Sequence, residues 1–342
     1  MTKTAVVILN YNGQEYLKKF LPSVIQHSKN ARIIVADNGS TDDSCSFIQT
    51  NYSQIELHRL ESNYGFTGGY NRILKKIEAD IFVLLNSDVE VTANWLDPIV
   101  SQLTDHDDIA ACQPRILSYK EKDKFDYAGA GGGYIDYLGF PFCRGRLFNT
   151  IESDTGQYND TLPIFWASGA CLFIKKKAFF EMDAFDEDFF AHMEEIDLCW
   201  RLQNSGHKVY YNGKSKVYHV GGGTLSRANP RKTYLNFRNG LSMFIKNEKP
   251  GRLWWKLPAR SFLDMVAAVK FIFSDSWRDG VAVLKAHLHF WMRLNRNLKK
   301  RKKAKKLWSH KKAELQIYHG FIVLDYFLRG KRTFQKLNFK KK

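Results

Sequence analysis

Paired cysteines and membrane-spanning apolar runs are both missing from this sequence of 342 residues. Its five cysteines are odd in number, widely spaced and never arranged as Cys-x-x-Cys, which argues against a disulfide framework or a zinc site and favours a reducing compartment. The best candidate for a spanning helix, 257–273, contains Arg260, Asp264 and Lys270, so we reject it. The five apolar residues before Asn10 are too few for a signal peptide, so we expect a core strand in the cytosol at this end.

Several binding signatures are missing as well. The sequence has no GxxxxGK[ST] and no GxGxxG after its first apolar run, which disfavours a P-loop NTPase and an ordinary dinucleotide-binding Rossmann domain. No RRM, KH, zinc-finger or helix-turn-helix pattern occurs in its basic part, which argues against nucleic acid as a partner.

What is present is apolar material and an uneven charge. Hydrophobic residues make up 44% and aromatic residues 14% of the chain, enough for a sizeable core. Residues 241–342 contain 26 Lys and Arg against 6 Asp and Glu, a net +20, whereas 1–240 contain 26 against 29, a net −3. A near-neutral body with a strongly basic tail indicates a polyanionic surface as partner.

In the first ninety residues, unbroken apolar runs alternate with segments whose apolar residues have helical spacing. We predict core strands over 5–9, 32–36, 55–60 and 81–85, with helices over 15–28 and from near Thr67. This rhythm predicts an α/β fold with a mostly parallel sheet and helices on both faces. Farther along we expect loops and short strands over 115–163, a core run over 164–174, a helix within 189–204, strands over 209–211 and 217–219, and helices from Thr233 onward.

Polar side chains follow the predicted strands directly. Asn10 and Asn12, Asp37, Asn63 and Asp88 all fall at such positions. Because ligands of open α/β sheets bind beyond the carboxyl ends of the strands, these residues predict a polar ligand site at one sheet edge.

Two of these segments have a functional and a structural interpretation. Asp37 either forms a turn before a helix capped by Ser40 or Thr41, or accepts the N3–H of a uracil or thymine ring. The glycine-rich segment 63–71 is either a flexible turn or a loop whose backbone amides face a diphosphate at a helix start.

Two further groups suit chemistry at a diphosphate. Asp88 follows a buried strand and is either a turn residue or a ligand for Mg²⁺, which usually binds one carboxylate plus substrate phosphates. Glu194, Glu195 and Asp197 are acids at a predicted helix start, where acids are common because of the helix dipole alone. Asp197 stands four residues before Arg201, so these two side chains can simply pair. His219 is either structural or a metal or phosphate ligand.

Seven motifs follow one another in a recognisable order within residues 3–247. They are ILNYNG, ADNGSTDDS, NYGFTGGYN, LLNSDVEV, WASGACLFI, AFDEDFFAHMEEIDLCWRL and VYHVGGGTL. Together they resemble family 2 glycosyltransferases of the GT-A fold, near their rhamnosyltransferase-like branch.

The resemblance implies roles for individual residues. The implied donor-binding residues are Asn10, Tyr11, Asn12, Asp37, Asn38, Ser40, Asn63, Gly65, Gly69, Asn71, Asn86, Ser87 and Asp88. Asp88, assisted by His219, would hold Mg²⁺ or Mn²⁺, and Asn86 replaces the first Asp of the family's DxD motif. The implied catalytic residues are Glu195, Glu194 and Asp197, with Glu195 preferred as base, while Trp166, Ser168 and Arg201 would frame the acceptor or the sugar.

The implied reaction is an inverting single displacement from a UDP- or dTDP-sugar, with dTDP-rhamnose favoured by the family, to a hydroxyl of a glycan or lipid-linked acceptor in cell-surface polysaccharide synthesis. Two alternatives remain open: a nucleotidyltransferase, and a catalytically degenerate membrane-bound scaffold. Asn86 and the acidic block at Glu194 argue against the first.

The tail also has two interpretations. We expect a GT-A domain over 1–247 and a helical, basic and aromatic extension over 248–342. The extension either packs on the body with a solvated charged face or binds an anionic membrane, since aromatic residues beside Lys and Arg suit a lipid interface. The nine basic residues within 293–306 favour peripheral attachment to the inner face of the cell membrane.

Overall fold

The computed structural model describes residues 2–221, 229–309 and 314–339. The last four residues of the VYHVGGGTL motif, 222–225, and the terminal lysines 340–342 lie outside the described residues.

A large twisted sheet forms the centre of the described structure. Its strands, numbered in chain order, are β1 (Thr4–Asn10), β2 (Arg32–Asp37), β3 (Glu56–Arg59), β4 (Ile81–Asn86), β5 (Val89–Val91), β6 (Ile109–Ser118), β11 (Thr161–Pro163), β12 (Cys171–Lys175) and β13 (Lys208–His219). They lie in the order β11-β13-β6-β12-β4-β1-β2-β3, with β5 paired to β13. The pairs β3–β2, β2–β1, β1–β4 and β6–β13 are parallel, and the pairings β4–β12, β12–β6, β13–β11 and β13–β5 are antiparallel. The sheet is therefore mixed, with most of its paired residues in parallel register, as predicted.

Helices cover both faces of this sheet, as predicted. Those of the body are α1 (Gln14–His27), α2 (Ser44–Asn51), α3 (Gly65–Leu74), α4 (Asp97–Asp105), α5 (Lys176–Glu181) and α6 (Glu194–Asn204). Successive residues of β1 point to opposite faces: Val6 packs in a core with α1 and α4, whereas Val7 packs in a core with α3, α5 and α6.

A smaller second sheet lies in the predicted loop region. It contains β7 (Gly133–Asp136), β8 (Pro141–Cys143), β9 (Arg146–Leu147), β10 (Thr150–Ile151) and β14 (Ile317–Tyr318). β14 comes from the far end of the chain and pairs in parallel with β7. Phe334 and Phe339 of the tail stack on Tyr134 and Phe142 beside it, so the basic extension packs on the body.

The chain is mainly helical from Pro230 onward, as predicted. Helix α7 (Pro230–Asn247) ends the expected GT-A domain, and the helices of the extension are α8 (Pro250–Lys270), α9 (Trp277–Met292), α10 (Leu294–Lys305) and α11 (Ile322–Phe327). A π-helical turn over Phe271–Asp275 joins α8 to α9. Among the described residues, no helix combines the length and apolarity needed to cross a bilayer.

Two predicted boundaries were wrong. The strands expected over 209–211 and 217–219 are one strand, β13, because a register shift between Asn212 and Lys216 absorbs the intervening residues. The cap expected at Ser40 or Thr41 does not form, since α2 begins later, at Ser44. All five cysteines are free thiols, in agreement with the sequence.

Candidate active site

The carboxyl ends of β1 and β2 bring Asn10 and Asp37 together. The two residues are register partners. The Asp37 Oδ1 atom accepts from Asn10 Nδ2 at 3.2 Å, and its Oδ2 atom accepts from the Ser40 amide at 2.9 Å. Each carboxylate oxygen can accept a further hydrogen bond, so Asp37 is oriented by the protein and retains capacity for a ligand N–H.

The turn after β1 is tied to the turn after β2. Ser40 Oγ accepts from the Asn12 amide at 2.8 Å and from Asn10 Nδ2 at 3.3 Å. A Cβ at Gly13 would lie 2.4 Å from Asn10 Oδ1, so the Asn-Tyr-Asn-Gly motif needs its glycine. Tyr11 and Asn12, in the turn after β1, are exposed.

The glycine-rich loop is docked on the protein rather than held open toward a phosphate. The amides of Tyr64 and Gly65 donate to the side chains of Asn38 and Asn63, at 3.1 and 2.8 Å. The next two amides, of Phe66 and Thr67, donate to the Phe190 carbonyl at 2.8 and 3.3 Å. The amides of residues 64–67 therefore have partners within the protein: α3 begins at Gly65, and its first N–H groups fasten the segment that leads to Glu194 and Glu195. A diphosphate contact of this loop stays a prediction.

Gly69 and Asn71 also have partners inside the protein. A Cβ at Gly69 would lie 2.9 Å from Leu9, so the glycine allows α3 to approach β1 closely. Asn71 donates to the Phe185 carbonyl at 2.9 Å and accepts from the Phe185 amide at 3.1 Å. Both positions therefore hold α3 in place.

Asp88 and His219 lie together because β5 pairs with β13. His219 is the register partner of Val89, which follows Asp88. The Asp88 Oδ1 and His219 Nε2 atoms are 3.2 Å apart, and the other ring nitrogen, Nδ1, lies 3.1 Å from Asp126 Oδ2. Asp126 was missed by sequence reasoning, since its only signal is a place just before the glycine-rich stretch 129–133.

The two carboxylates dominate the electrostatics of His219. Burial lowers the pKa of His219, but the charges of Asp126 and Asp88 outweigh it and raise the pKa to about 10. Burial also raises the pKa of Asp88, yet the His219 charge brings it below its ordinary value. The cluster is thus a strongly polarised carboxylate–imidazole–carboxylate chain, with Asp126 holding the ring.

The acidic pair lies at the same sheet edge. The amino end of antiparallel β12 adjoins the carboxyl end of β4, where the Asn86 amide donates to the Ala170 carbonyl at 3.0 Å. The Gly169 amide, one residue earlier, interacts with the Glu195 carboxylate. Ser87 Oγ lies near Gly13, which connects this edge to the turn after β1.

The segment before α6 has an unusual backbone. Phe190, His192 and Met193 have positive φ angles of 64°, 70° and 71°. Such conformations persist only where the surroundings enforce them. Here Asn239 of α7 is fully buried, and its Nδ2 atom donates to the carbonyls of Phe189, Ala191 and His192 at 3.0, 3.0 and 2.8 Å. Sequence reasoning missed Asn239.

Burial raises the pKa of both glutamates. The pKa of Glu195 rises to about 7, with backbone N–H groups opposing the effect of burial. Burial and the neighbouring charge of Glu195 raise the pKa of Glu194 well above its ordinary value. Glu194 is the more deeply buried of the two. Because the two negative charges oppose each other, ionisation of one glutamate favours the protonated form of the other.

Asp197 and Arg201 pair with each other, four residues apart on α6. Arg201 Nε donates to Asp197 Oδ2 at 2.9 Å, and Lys246 and Asn247 each donate to the same carboxylate at 2.8 Å. Arg201 also donates to the carbonyls of Met182 and Ala184. This buried network joins α6 to α7.

Trp166 and Ser168 are likewise enclosed. Trp166 Nε1 donates to the Tyr134 carbonyl at 2.9 Å, and Ser168 Oγ donates to the Ala128 carbonyl at 3.2 Å. Both residues are at most 5% exposed, so their described contacts are with the protein interior.

Several residues of the candidate site have a buried polar atom without a protein partner. Among the described residues these atoms include Asn10 Oδ1, Thr67 Oγ1, His192 Nε2, Glu194 Oε2 and Glu195 Oε2, while other such atoms lie elsewhere in the protein. Because buried polar groups are nearly always hydrogen-bonded, the free oxygens of Asn10 and Glu195 are candidates for ligand contact.

The match to known families decides what kind of site this is. A family model described as glycosyl transferase family 2 matches residues 5–181, just over half of the chain. The chain belongs to this family. It is a glycosyltransferase, and the match decides against the nucleotidyltransferase alternative.

Its curated relatives include rhamnosyltransferases. An N-acetylglucosaminyl-diphospho-decaprenol L-rhamnosyltransferase of Mycobacterium tuberculosis is 25% identical over 274 residues, covering 75% of this chain and 87% of the relative. The rhamnosyltransferase WbbL of Escherichia coli K12 is 23% identical, covering 60% of this chain and 79% of that protein. The glycosyltransferase is thus rhamnosyltransferase-like.

Solved structures share its fold. GalNAc-T7, crystallised with UDP, GalNAc and Mn²⁺, matches with a TM-score of 0.56 and 16% identity over 78% of this chain, which spans 51% of that protein. The mannosyltransferase PcManGT of Pyrobaculum calidifontis, in complex with GDP-Man and Mn²⁺, matches with a TM-score of 0.51 and 12% identity over 90% of this chain and 84% of its own. These likenesses confirm the GT-A fold.

Proposed function

We propose that this glycosyltransferase moves a sugar, with inversion at the anomeric carbon, from a UDP- or dTDP-sugar to a hydroxyl of a glycan or lipid-linked acceptor in cell-surface polysaccharide synthesis. The observation that carries the proposal is Glu195, an ionisable carboxyl with a buried, unpartnered oxygen at the sheet edge that Asp37 and Asp88 share. The name of the mycobacterial relative supports dTDP-rhamnose as the first donor to test and a GlcNAc-diphospho-lipid as the first acceptor.

Asp37 is the proposed contact for the nucleobase. Both carboxylate oxygens are held by donors from Asn10 and Ser40, which fixes their direction. A remaining lone pair can accept the N3–H that uracil and thymine present. Asn38 and Asn63 shape the adjoining loop, where they hold the backbone of residues 64 and 65.

Asp88 and His219 are the proposed holders of Mg²⁺ or Mn²⁺. A carboxylate and an imidazole nitrogen 3.2 Å apart are donor types that a divalent cation can use, and Asp126 would orient the ring. Because the two carboxylates keep His219 protonated, the cation would have to displace the proton on Nε2, so its binding should strengthen as pH rises. In the described part of the chain no group of three such side chains forms a complete metal site, so donor phosphates and water would supply the other ligands. The ion, when bound, offsets negative charge on the leaving diphosphate.

Glu195 is the proposed general base. It removes the proton from the acceptor hydroxyl as that oxygen attacks the anomeric carbon from the face opposite the diphosphate, whose bond to the sugar breaks. A pKa of about 7 suits the role, because the carboxylate is ionised at neutral pH yet still a useful proton acceptor. The raised pKa of Glu194 favours its neutral form, and the charge of Asp197 is balanced by Arg201 and Lys246, so both support Glu195 from within the fold.

The test compares Glu195→Gln with Glu181→Gln, a control on the surface of α5. Loss of a general base lowers rates by about 10²–10⁴-fold. We expect that loss in kcat for Glu195→Gln, with donor affinity by calorimetry within about threefold of the parent. The control should behave like the parent. Unchanged turnover of Glu195→Gln would remove Glu195 from the base role.

We also propose a peripheral position on the inner, cytoplasmic face of the cell membrane, with a GT-A domain over 1–247 and a membrane-associating extension over 248–342. The net +20 of residues 241–342 supports attraction to anionic lipid, and the lipid-linked substrate named for the mycobacterial relative supports the location.

A further inference from the structure

Three charged residues in the middle of helix α8 face inward. Lys256, Arg260 and Asp264, spaced by four, are 1%, 3% and 1% exposed. Lys256 Nζ lies 2.7 Å from Glu248 Oε2, and Asp264 Oδ2 lies 3.1 Å from His287 Nε2. Arg260 donates to the Leu138 carbonyl at 3.0 Å. The polar face of α8 is therefore covered by the loop at Leu138, by Glu248 and by α9.

The outward face of α8 and the turn after it is apolar. Its residues, which we call the outer stripe, are Trp254, Pro258, Phe262, Val266, Val269 and Phe273. Their spacings of four or three place them along one side of a helix. Trp254, Phe262 and Phe273 are 78%, 68% and 84% exposed. A helix in contact with water normally has the opposite arrangement.

The outer stripe belongs to a larger apolar surface. On α9, Trp277, Leu284, Leu288, Trp291 and Met292 are also exposed. In the described part of the chain, the only large apolar side chain before residue 254 that is comparably exposed is Tyr11. After residue 292, Leu298, Phe327 and Leu328 are exposed as well, so the exposed apolar side chains concentrate in the helices from α8 onward. Apolar exposure on this scale marks a surface that contacts something other than water.

We propose that the α8–α9 hairpin lies flat in the head-group layer of an anionic bilayer, with the outer stripe facing the acyl chains. This inference deepens the membrane position proposed above and rests on it. The stripe runs for roughly 28 Å at 1.5 Å per residue, a line along a surface rather than a pocket. Trp254 and Trp277 suit the interface, and exposed Arg252, Arg278 and Lys285 can reach lipid phosphates.

The charge of the tail favours lipid over a second copy of the chain. Two copies joined through this face would bring together two segments of net +20 each, whereas anionic lipid neutralises them.

Some of the basic residues within 293–306 contact other parts of the protein. Arg296 and Lys300 pair with Asp188, and Lys303 pairs with Asp183. Arg301 donates to the Ile245 carbonyl. These cations fasten α10 to the body, so the apolar stripe has the leading part in lipid contact, and the exposed Lys299, Lys302 and Lys306 assist it.

The experiment is co-sedimentation of the full chain with vesicles of one part phosphatidylglycerol to two parts phosphatidylcholine, and with pure phosphatidylcholine. The triple variant Phe262→Gln, Val266→Gln, Phe273→Gln should lose at least about tenfold in vesicle affinity. A matched control, Phe262→Leu, Val266→Ile, Phe273→Leu, should bind like the parent. Lys299→Gln, Lys302→Gln, Lys306→Gln should weaken binding to the anionic vesicles alone, and more at low salt.

Two outcomes overturn the proposal. One is parent-like vesicle binding by the Gln triple variant. The other is a lipid-free parent dimer that the Gln triple variant converts to monomer in the ultracentrifuge, which assigns the face to a second copy. Failure here is separable from failure of the proposed function, because the stripe variants should keep the transfer rate to a water-soluble acceptor while Glu195→Gln should bind vesicles normally.

Discussion

Replacing Asn239 tests whether the strained segment before α6 sets the position of Glu195. Asn239→Leu keeps nearly the same volume but removes the donor that three carbonyls share. Asn239→Asp also lacks the donor, yet it can still accept from Arg238, as Asn239 Oδ1 does at 2.9 Å. The two variants thus separate the hydrogen bonds to the segment from the contact with Arg238.

The expected magnitude follows from the contacts. A buried polar group left without a partner costs about 1–3 kcal/mol, and each residue held at positive φ stores about 1–3 kcal/mol that favours relaxation. If relaxation of the segment raises the activation free energy by about 1.4–2.8 kcal/mol, kcat falls roughly 10- to 100-fold, since 1.36 kcal/mol is tenfold in rate. The KM for the donor should change less, because Asn239 contacts none of the proposed donor residues.

The assay is steady-state kinetics over a range of pH, and melting temperatures check that each variant folds. A relaxed segment exposes Glu195, so the acidic limb of the kcat profile should move below pH 7 in both variants. Asn297→Leu is the control: Asn297 is a nearly buried asparagine of α10 that contacts Ser242 instead. If both Asn239 variants fold and keep parent-like kcat and pH profiles, Asn239 does not position the base.

Three further predictions concern the site itself. The kcat of the parent should fall about tenfold per pH unit below pH 7, because Glu195 must be ionised to act as base; a profile flat to pH 5 would contradict this. The raised pKa of Glu195 in the folded state contributes stability that is lost as pH rises from about 4.5 through 7. The melting temperature of Glu195→Gln, measured relative to the parent, should therefore be higher at pH 8 than at pH 4. An equal difference at both pH values would be evidence against burial of this carboxyl. In calorimetry, Mn²⁺ should raise the donor affinity of the parent at least about tenfold and that of Asp88→Asn hardly at all, and a parent insensitive to metal would exclude the assignment.

The sequence predicted best what depends on neighbours along the chain. The unbroken apolar runs of β1, β2 and β4 located these strands to within one residue, because strands buried on both faces need no alternation. β6 went unpredicted because Gln113, Pro114 and Arg115 interrupt its apolar pattern. Gln113 is nevertheless buried, and it donates to the Gly129 carbonyl and accepts from the Ser168 amide.

Contacts between distant segments escaped prediction. Asp126 and Asn239 reach the site through loops and a helix that no local spacing connects to it. Arg260 and Asp264, which excluded a spanning helix, are buried against the Leu138 carbonyl and against His287 of α9, and nothing in their spacing tells which side of α8 is covered. The periodicity of a helix reveals two faces, and only packing decides which one the protein covers.

In the proposed mechanism a single carboxylate, Glu195, drives a direct displacement at this sheet edge. The anomeric configuration of the product, read from its one-bond carbon–proton coupling by NMR, decides between one displacement and two. A single displacement gives a configuration opposite to that of the donor sugar. A product with the donor's own configuration would require two displacements and a second group acting on the sugar, and would contradict it.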